Sequence, residues 1–262
     1  TVELGDLTDP EARTLVDLVA GSELEPRAAG RLLALGGRNP VYLIELTRDF
    51  LVGKVQLPEL PTDAITLPIS LRQLLDPRIQ SLGSEAASVG SYLAVWGRWI
   101  TLPELARLTE KPVDEVARDV EELERCRLAT VERGRVRLAH ELFRSAIYQS
   151  LTATRRSVLH GKVAALLDSA EGQQPGETAI HFDRAGNATG AALRGREAAD
   201  RALESGAMAE AAYFLQLVVE NVSDAALKAE ATADLAGVLH MNREITRANP
   251  LLELAASRLR LV

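Results

Sequence analysis

Apolar residues return along most of this chain at intervals of three and four, the period of helices that bury one face. The first such stretch follows Thr8-Asp9-Pro10-Glu11, a helix start with capping residues, a proline in the first turn and an acid three positions after Thr8. Leu15, Val16, Leu18 and Val19 are its expected apolar positions, ending near Ala20. A second helix is predicted over about 25–35 and closes at Gly36-Gly37. A third opens after the cap Asn39 and the first-turn residue Pro40, and runs through Tyr42, Leu43, Leu46 and Phe50. The spacing thus predicts a helical bundle over 1–52. Its first residues, 1–7, read as a short strand, which cannot stand alone: either it adds at the domain edge or, the expectation here, its sheet lies outside this sequence. Pro58, Pro61 and Pro68 mark 53–67 as a linker.

From 68 to 151 the pattern changes twice. Leu71, Leu74, Leu75 and Ile79 predict one helix, interrupted at Asp76-Pro77, and 84–97 predicts another. Thr101-Leu-Pro-Glu104 is a capping box that opens a short helix to Leu108. After Lys111-Pro112, the residues Val113, Val116, Ala117, Val120 and Leu123 share one helical face. The period then drops to two, and 128–138 reads as a hairpin turning at Arg133-Gly134. Within a few residues the alternation becomes an amphipathic helix, with His140 at the switch. Helices followed by such a hairpin are the order of a winged-helix domain.

Beyond Thr152 every segment reads as helix. Ala191, Gly195, Ala198 and Ala202 form a small-residue stripe, and Met208, Ala211, Ala212, Leu215, Val218 and Val219 form a facing one across the Gly206 turn. A related pair follows, with Leu227, Ala231, Leu235, Val238 and Leu239, then Ala248, Pro250, Leu251, Leu252 and Ala255. The segments starting at Glu210 and Arg247 lie 37 residues apart, close to the roughly 34 of tetratricopeptide-like helical pairs. The predicted fold class is mainly α: a helical bundle, a winged helix with one β-hairpin, and tetratricopeptide-like repeats over 152–262.

Composition narrows the chemistry. Aromatic residues are 4% of the 262, so the cores are built from Leu, Val and Ala. The net charge of −7 disfavours a free duplex-DNA binder. The helix over 111–124, which would enter the major groove, carries Asp114, Glu115, Asp119, Glu121, Glu122 and Glu124 against Lys111 and Arg118. That density of carboxylates opposes docking on phosphate, so the expected role is protein contact, with no direct DNA binding. The hairpin tip is basic, with Arg133, Arg135 and Arg137. A lone cysteine, Cys126, allows neither an internal disulfide nor a cysteine zinc site, and is expected to be a small, partly buried helical residue. No apolar run is long enough to span a bilayer, and no signal-peptide core is present. A cytoplasmic location, away from membranes, is the expectation.

The sequence contains no G-x-x-x-x-G-K-[ST] phosphate loop and no G-x-S-x-G elbow. His160, His181 and His240 lack the spacing of a metal site and are expected to be structural. No catalytic residue and no metal site is predicted, and the chain is not expected to be an enzyme.

Three segments carry a resemblance: Gly36-Gly-Arg-Asn-Pro-Val-Tyr-Leu-Ile-Glu-Leu46, His140-Glu-Leu-Phe-Arg-Ser-Ala146 and Ala179-Ile-His-Phe-Asp-Arg-Ala-Gly186. In this order they resemble the STAND class of signal-transduction ATPases, most closely the large ATP-binding regulators of the LuxR type. The resemblance implies that 1–52 is the helical lid of such an ATPase, followed by its winged helix and first sensor repeats. It implies that Pro40 packs near the adenine and that His140 reaches the β-phosphate of bound ADP, holding a closed, inactive state. ATP or ADP would then be a cofactor of a longer protein, whose P-loop domain would be one partner. An inducer or regulatory protein at the repeats would be the other. The function implied is coupling of nucleotide state and signal to winged-helix movement in transcriptional regulation. Taken without the resemblance, Pro40 is a helix start and His140 a cap or core residue. Two other readings stand beside it: a helical-repeat adaptor that captures a protein, and the regulatory part of a nucleotide cyclase or kinase.

Overall fold

Thr8 has an extended backbone, and its amide and hydroxyl both donate to the Glu11 carboxylate at 2.8 Å. Helix α1 (Asp9–Ala20) begins there and stops at Gly21, whose left-handed backbone (φ 72) closes the last turn. Of its predicted apolar face Val16 is buried, while Leu18 is 75% exposed and Ala12 takes its place inside. Helix α2 (Pro26–Gly36) and helix α3 (Pro40–Leu51) follow. Leu32, Leu43 and Leu46 are fully buried, each contributing roughly 2 kcal/mol by leaving water. The computed structural model describes residues 7–54, 67, 69–169 and 174–259. The strand expected over 1–7, apart from Leu7, and nearly all of the 53–67 linker lie outside the described residues.

Two compact units divide between Thr152 and Ala153. In unit 1, helix α4 (Ile69–Gln80) runs straight through Pro77, which the sequence marks as an interruption. Proline lacks one N–H and crowds one carbonyl, and here it sits in the last turn of a helix anchored by Leu71 and Leu75, both fully buried. Arg72 and the amide of Leu67 also donate to Gln149, at 2.6 and 3.4 Å.

Helix α5 (Ser84–Trp96) is buried nearly all round and ends at the left-handed Gly97. A two-residue strand, β1 (Ile100–Thr101), leads into α6 (Leu102–Thr109), and α7 (Val113–Arg125) packs on α6 and α5. Strands β2 (Ala129–Glu132) and β3 (Arg135–Leu138) form the predicted hairpin. Arg133 and Gly134 both have positive φ (49 and 75), the backbone of a turn whose twist matches the strands it joins. The sheet has three strands rather than two, in the order β1-β3-β2, all antiparallel, with Ile100 opposite Val136 and Val131 opposite Val136 on the other side. Helix α8 (Glu141–Ser150) follows and packs on α2, α4 and α5. Val113 is 44% exposed at the first turn of α7, so the buried face of that helix begins at Val116. Cys126 lies just past α7, partly buried.

Unit 2 is three helical hairpins: α9 (Ala153–Asp168) with α10 (Pro175–Ala185), α11 (Ala188–Glu204) with α12 (Met208–Asn221), and α13 (Ala225–Met241) with α14 (Ile245–Leu259). Each helix packs on its neighbours in sequence. From α11 to α13 and from α12 to α14 the start advances by the same 37 positions, Ala188 to Ala225 and Met208 to Ile245. The small stripe of α11 is buried at Ala191, Ala198 and Ala202. At Gly195 a β-carbon would lie 3.1 Å from both Leu217 and Val218, so the missing side chain sets how closely α12 approaches. Phe182 of α10 lies over Gly190 of α11, and Phe214 of α12 over Gly176 of α10, at 2.7 and 2.5 Å from where a β-carbon would be. Arg194 ties α11 back to α9 through Asp168 at 2.6 Å, while Glu197 holds its other edge at 2.8 Å.

Candidate functional site

The turn between α2 and α3 and the start of α8 converge in unit 1. Gly36 is pressed against α3: a β-carbon there would lie 2.7 Å from Leu43. Gly37 has φ 59 and ψ −137, a region that glycine alone enters freely. Asn39 accepts from the amides of Val41 (3.0 Å) and Tyr42 (3.2 Å) and so starts α3. This turn carries the chain past His140, whose Nδ1 is 3.1 Å from the place where a Gly37 β-carbon would be.

His140 occupies the N-cap of α8 in an extended conformation and is half-buried. It stands edge-on to Tyr42 (centroids 6.0 Å) and tilted against Phe143 (5.8 Å), and Tyr42 also meets Phe143 edge-on. The three rings join α3 to α8. Burial raises the pKa of the Tyr42 phenol, and the Arg78 cation on α4 acts in the opposite direction.

One side of this junction is an open cleft of ≈ 610 Å³. Gly37 and Arg38 border it from the inter-helix turn, Glu132 and Arg137 from the hairpin, and His140, Glu141 and Arg144 from α8. Arg144 is buried; its Nε donates to Glu141 at 2.5 Å, and its side chain packs 3.8 Å from where a Gly97 β-carbon would be. Arg137 lies over the Trp99 ring at 4.6 Å, so this hairpin arginine is partly a packing residue. Arg38 meets Asp9 at 2.9 Å on an exposed surface, where such a pair is worth little. Three guanidiniums and an imidazole therefore face two carboxylates around the first amides of a helix, which lack intrahelical partners. Chemically, this surface can accept an anion, by charge and by N–H donation.

His140 thus lies on the cleft. Pro40 does not: it is exposed at the first turn of α3, and the cleft is bordered by Gly37 and Arg38 on that side. The arginines were the part that sequence reasoning missed. Arg38 and Arg144 stand inside the segments quoted for the resemblance, and Arg137 in the basic hairpin, but their convergence depends on the tertiary fold.

In unit 2, His160 of α9 and His181 of α10 are both buried, with Nδ1 atoms 2.9 Å apart; His240 is exposed on α13. Among the described residues no group of three His, Cys, Asp or Glu side chains could hold a metal ion. A groove of ≈ 560 Å³ runs along α11 and α13, bordered by Leu193 and Leu227, which are 57% and 56% exposed, with Arg196, Asp224 and Glu230 at its polar margin. Among the described residues no helix is long and apolar enough to cross a membrane.

No protein-family model matches the chain. No curated protein matches it either. Among solved structures it is similar to a signal transduction ATPase with numerous domains (STAND) protein with a tetratricopeptide repeat sensor, from Pyrococcus horikoshii, at 14% identity and a TM-score of 0.42. The match covers 99% of this chain and 42% of that one, so the chain spans less than half the length of this relative. A likeness at that level fixes neither family nor function.

Proposed function

We propose that this chain is a regulatory module of a nucleotide-gated switch. Unit 1 has the element order of a winged helix set beside a small helical bundle, and its cleft receives the phosphate of a nucleotide held by a P-loop domain elsewhere in a longer protein. The observation that carries this reading is the meeting of Gly37 and His140 on a cleft bordered by Arg38, Arg137 and Arg144. A diphosphate there would take N–H donors from the imidazole and from the start of α8. Its loss would release α8 and the hairpin to move as one body. The acidic α7 turns the winged helix toward protein contact, and a LuxR-type transcriptional regulator would bind DNA through a separate domain. The groove of unit 2 would take an inducer or regulatory protein, and the whole would work in the cytoplasm.

The test uses a protein that includes the residues upstream of this chain. ADP affinity is measured by calorimetry for the wild type, His140→Ala and Arg38→Ala. We expect both substitutions to weaken ADP at least as much as one charge-assisted hydrogen bond, about tenfold. Unchanged affinity in both variants, or an upstream sequence without a phosphate loop, would sink the proposal. The adaptor reading rests on exposed Leu193 and Leu227 and is favoured if a partner protein binds unit 2 equally with and without nucleotide.

A further inference from the structure

The two buried histidines of unit 2 are left over from every role given above. His160 and His181 are 1% and 6% exposed, their rings are 4.9 Å apart at 48°, and their Nδ1 atoms are within 2.9 Å. That distance holds one proton: one ring donates and the other accepts. No third metal-ligating side chain joins them among the described residues, so the pair is a hydrogen bond between rings. It joins α9 to α10 near a second link, from the Ser157 hydroxyl to the Ala185 carbonyl at 2.9 Å.

We propose that the His160–His181 pair is an acid-sensitive latch on α9 and α10, the hairpin through which the chain enters unit 2. Protonating the accepting nitrogen puts an N–H on both sides of a 2.9 Å gap, and the bond is lost. Protonating the donor ring at its far nitrogen keeps the bond but leaves a cation in a buried site. The charges that act on His160 oppose that cation: they are Arg184 on α10 and Arg156 on α9. Of the charged groups around this hairpin, Arg194 of α11 pairs with Asp168 of α9 and with Glu197, and Asp183 of α10 accepts from Asn221 of α12 at 2.8 Å. Burial first, then Arg184 and Arg156, hold His160 down from 6.5 to about 4. The sign follows. An open α9–α10 hairpin binds the proton more readily than the closed one, so the latch is secure above pH 6.5 and weakens as pH falls toward about 4.

Hydrogen exchange of the full chain tests this, read on peptides from 153–169 and 174–185 and, as reference, from 225–256. With intrinsic exchange rates divided out, opening of the first hairpin relative to the reference should rise below pH 6.5, by up to about tenfold per pH unit for one proton. The double variant His160→Asn/His181→Asn should lose that slope. A wild-type ratio that stays flat, or a double variant that keeps the slope, would overturn the latch. If the double variant already exchanges freely at neutral pH, ring-proton resonances of the wild type decide. A His160 ring that titrates far below 6.5 supports the latch, and one that titrates at 6.5 removes it.

Discussion

Gly37 and His140 are so close that a methyl group added at Gly37 would crowd the imidazole: the new β-carbon would sit 3.1 Å from Nδ1 and 3.4 Å from Cε1. The contact joins the end of α2 to the start of α8, two elements far apart in sequence, and it sets one border of the cleft.

Gly37→Ala should therefore destabilise unit 1 by about 1–3 kcal/mol, from backbone strain at a glycine-only conformation together with the crowded ring. Gly21→Ala is the matched control. Its φ is 72 but nothing lies within 4 Å of the added carbon, so only the left-handed penalty applies, about 1 kcal/mol. Urea unfolding of both variants measures the gap. Equal losses would mean that His140 yields freely, and the cleft border would be softer than described.

Two glycines inside the helices of unit 2 should respond with opposite signs. Gly237 in α13 has nothing within 4 Å of an added carbon, so Gly237→Ala should stabilise by about 0.5–1 kcal/mol through helix propensity and a less flexible unfolded chain. Gly195→Ala meets Leu217 and Val218 at 3.1 Å, and should cost about 1–3 kcal/mol as α12 is pushed away from α11. Thermal unfolding read on unit 2 decides, and a stabilising Gly195→Ala would contradict the packing described.

A pH dependence is built into the start of α6. The Thr101 amide and hydroxyl donate to Glu104 at 2.9 and 2.7 Å. Burial pushes this carboxyl up, but the two hydrogen bonds, with Arg98 and Arg135, outweigh it and hold the pKa below 4.5. The folded state therefore favours the ionised form. That stabilisation is present above 4.5 and is lost as pH falls through the lowered value. Thr101→Ala should cost about 1 kcal/mol at neutral pH. Denaturant midpoints of wild type and variant should converge as the solution is acidified below 4.5. A gap independent of pH would show that the carboxylate takes no part.

Much of this architecture could be read from residue order. Asn39-Pro40, Thr101 with Glu104 and the Arg133-Gly134 turn each satisfy local backbone groups, and local chemistry is visible in a single sequence. The helical repeats were legible because the small stripe of α11 repeats every three or four residues. Strand β1 was not. Two residues have no period, and Ile100-Thr101 becomes a strand only because β3 offers an edge. Pro77 was given too much weight, since a proline near a helix end removes little when Leu71 and Leu75 hold the other face. Exposed Leu18, Val113 and Leu227 fit a helical period but stand at its margins, where neighbours decide. The ends of the cleft were both legible as motifs, at Gly37 and His140, yet nothing in the order of residues places Arg137 beside them. His160 and His181 illustrate the same limit: they are 21 positions apart on different helices, a spacing with no metal-site signature, and only the packing of α9 on α10 makes them partners.

Gly176 of α10 and Gly190 of α11 each make room for a phenylalanine ring that crosses between helices. Rings seated in notches act as pegs. They allow a helix to rock about the peg but forbid it to slide along its neighbour, because one turn of slippage would drive the ring into a side chain. The middle of the array is thereby indexed, as a gear is by its teeth.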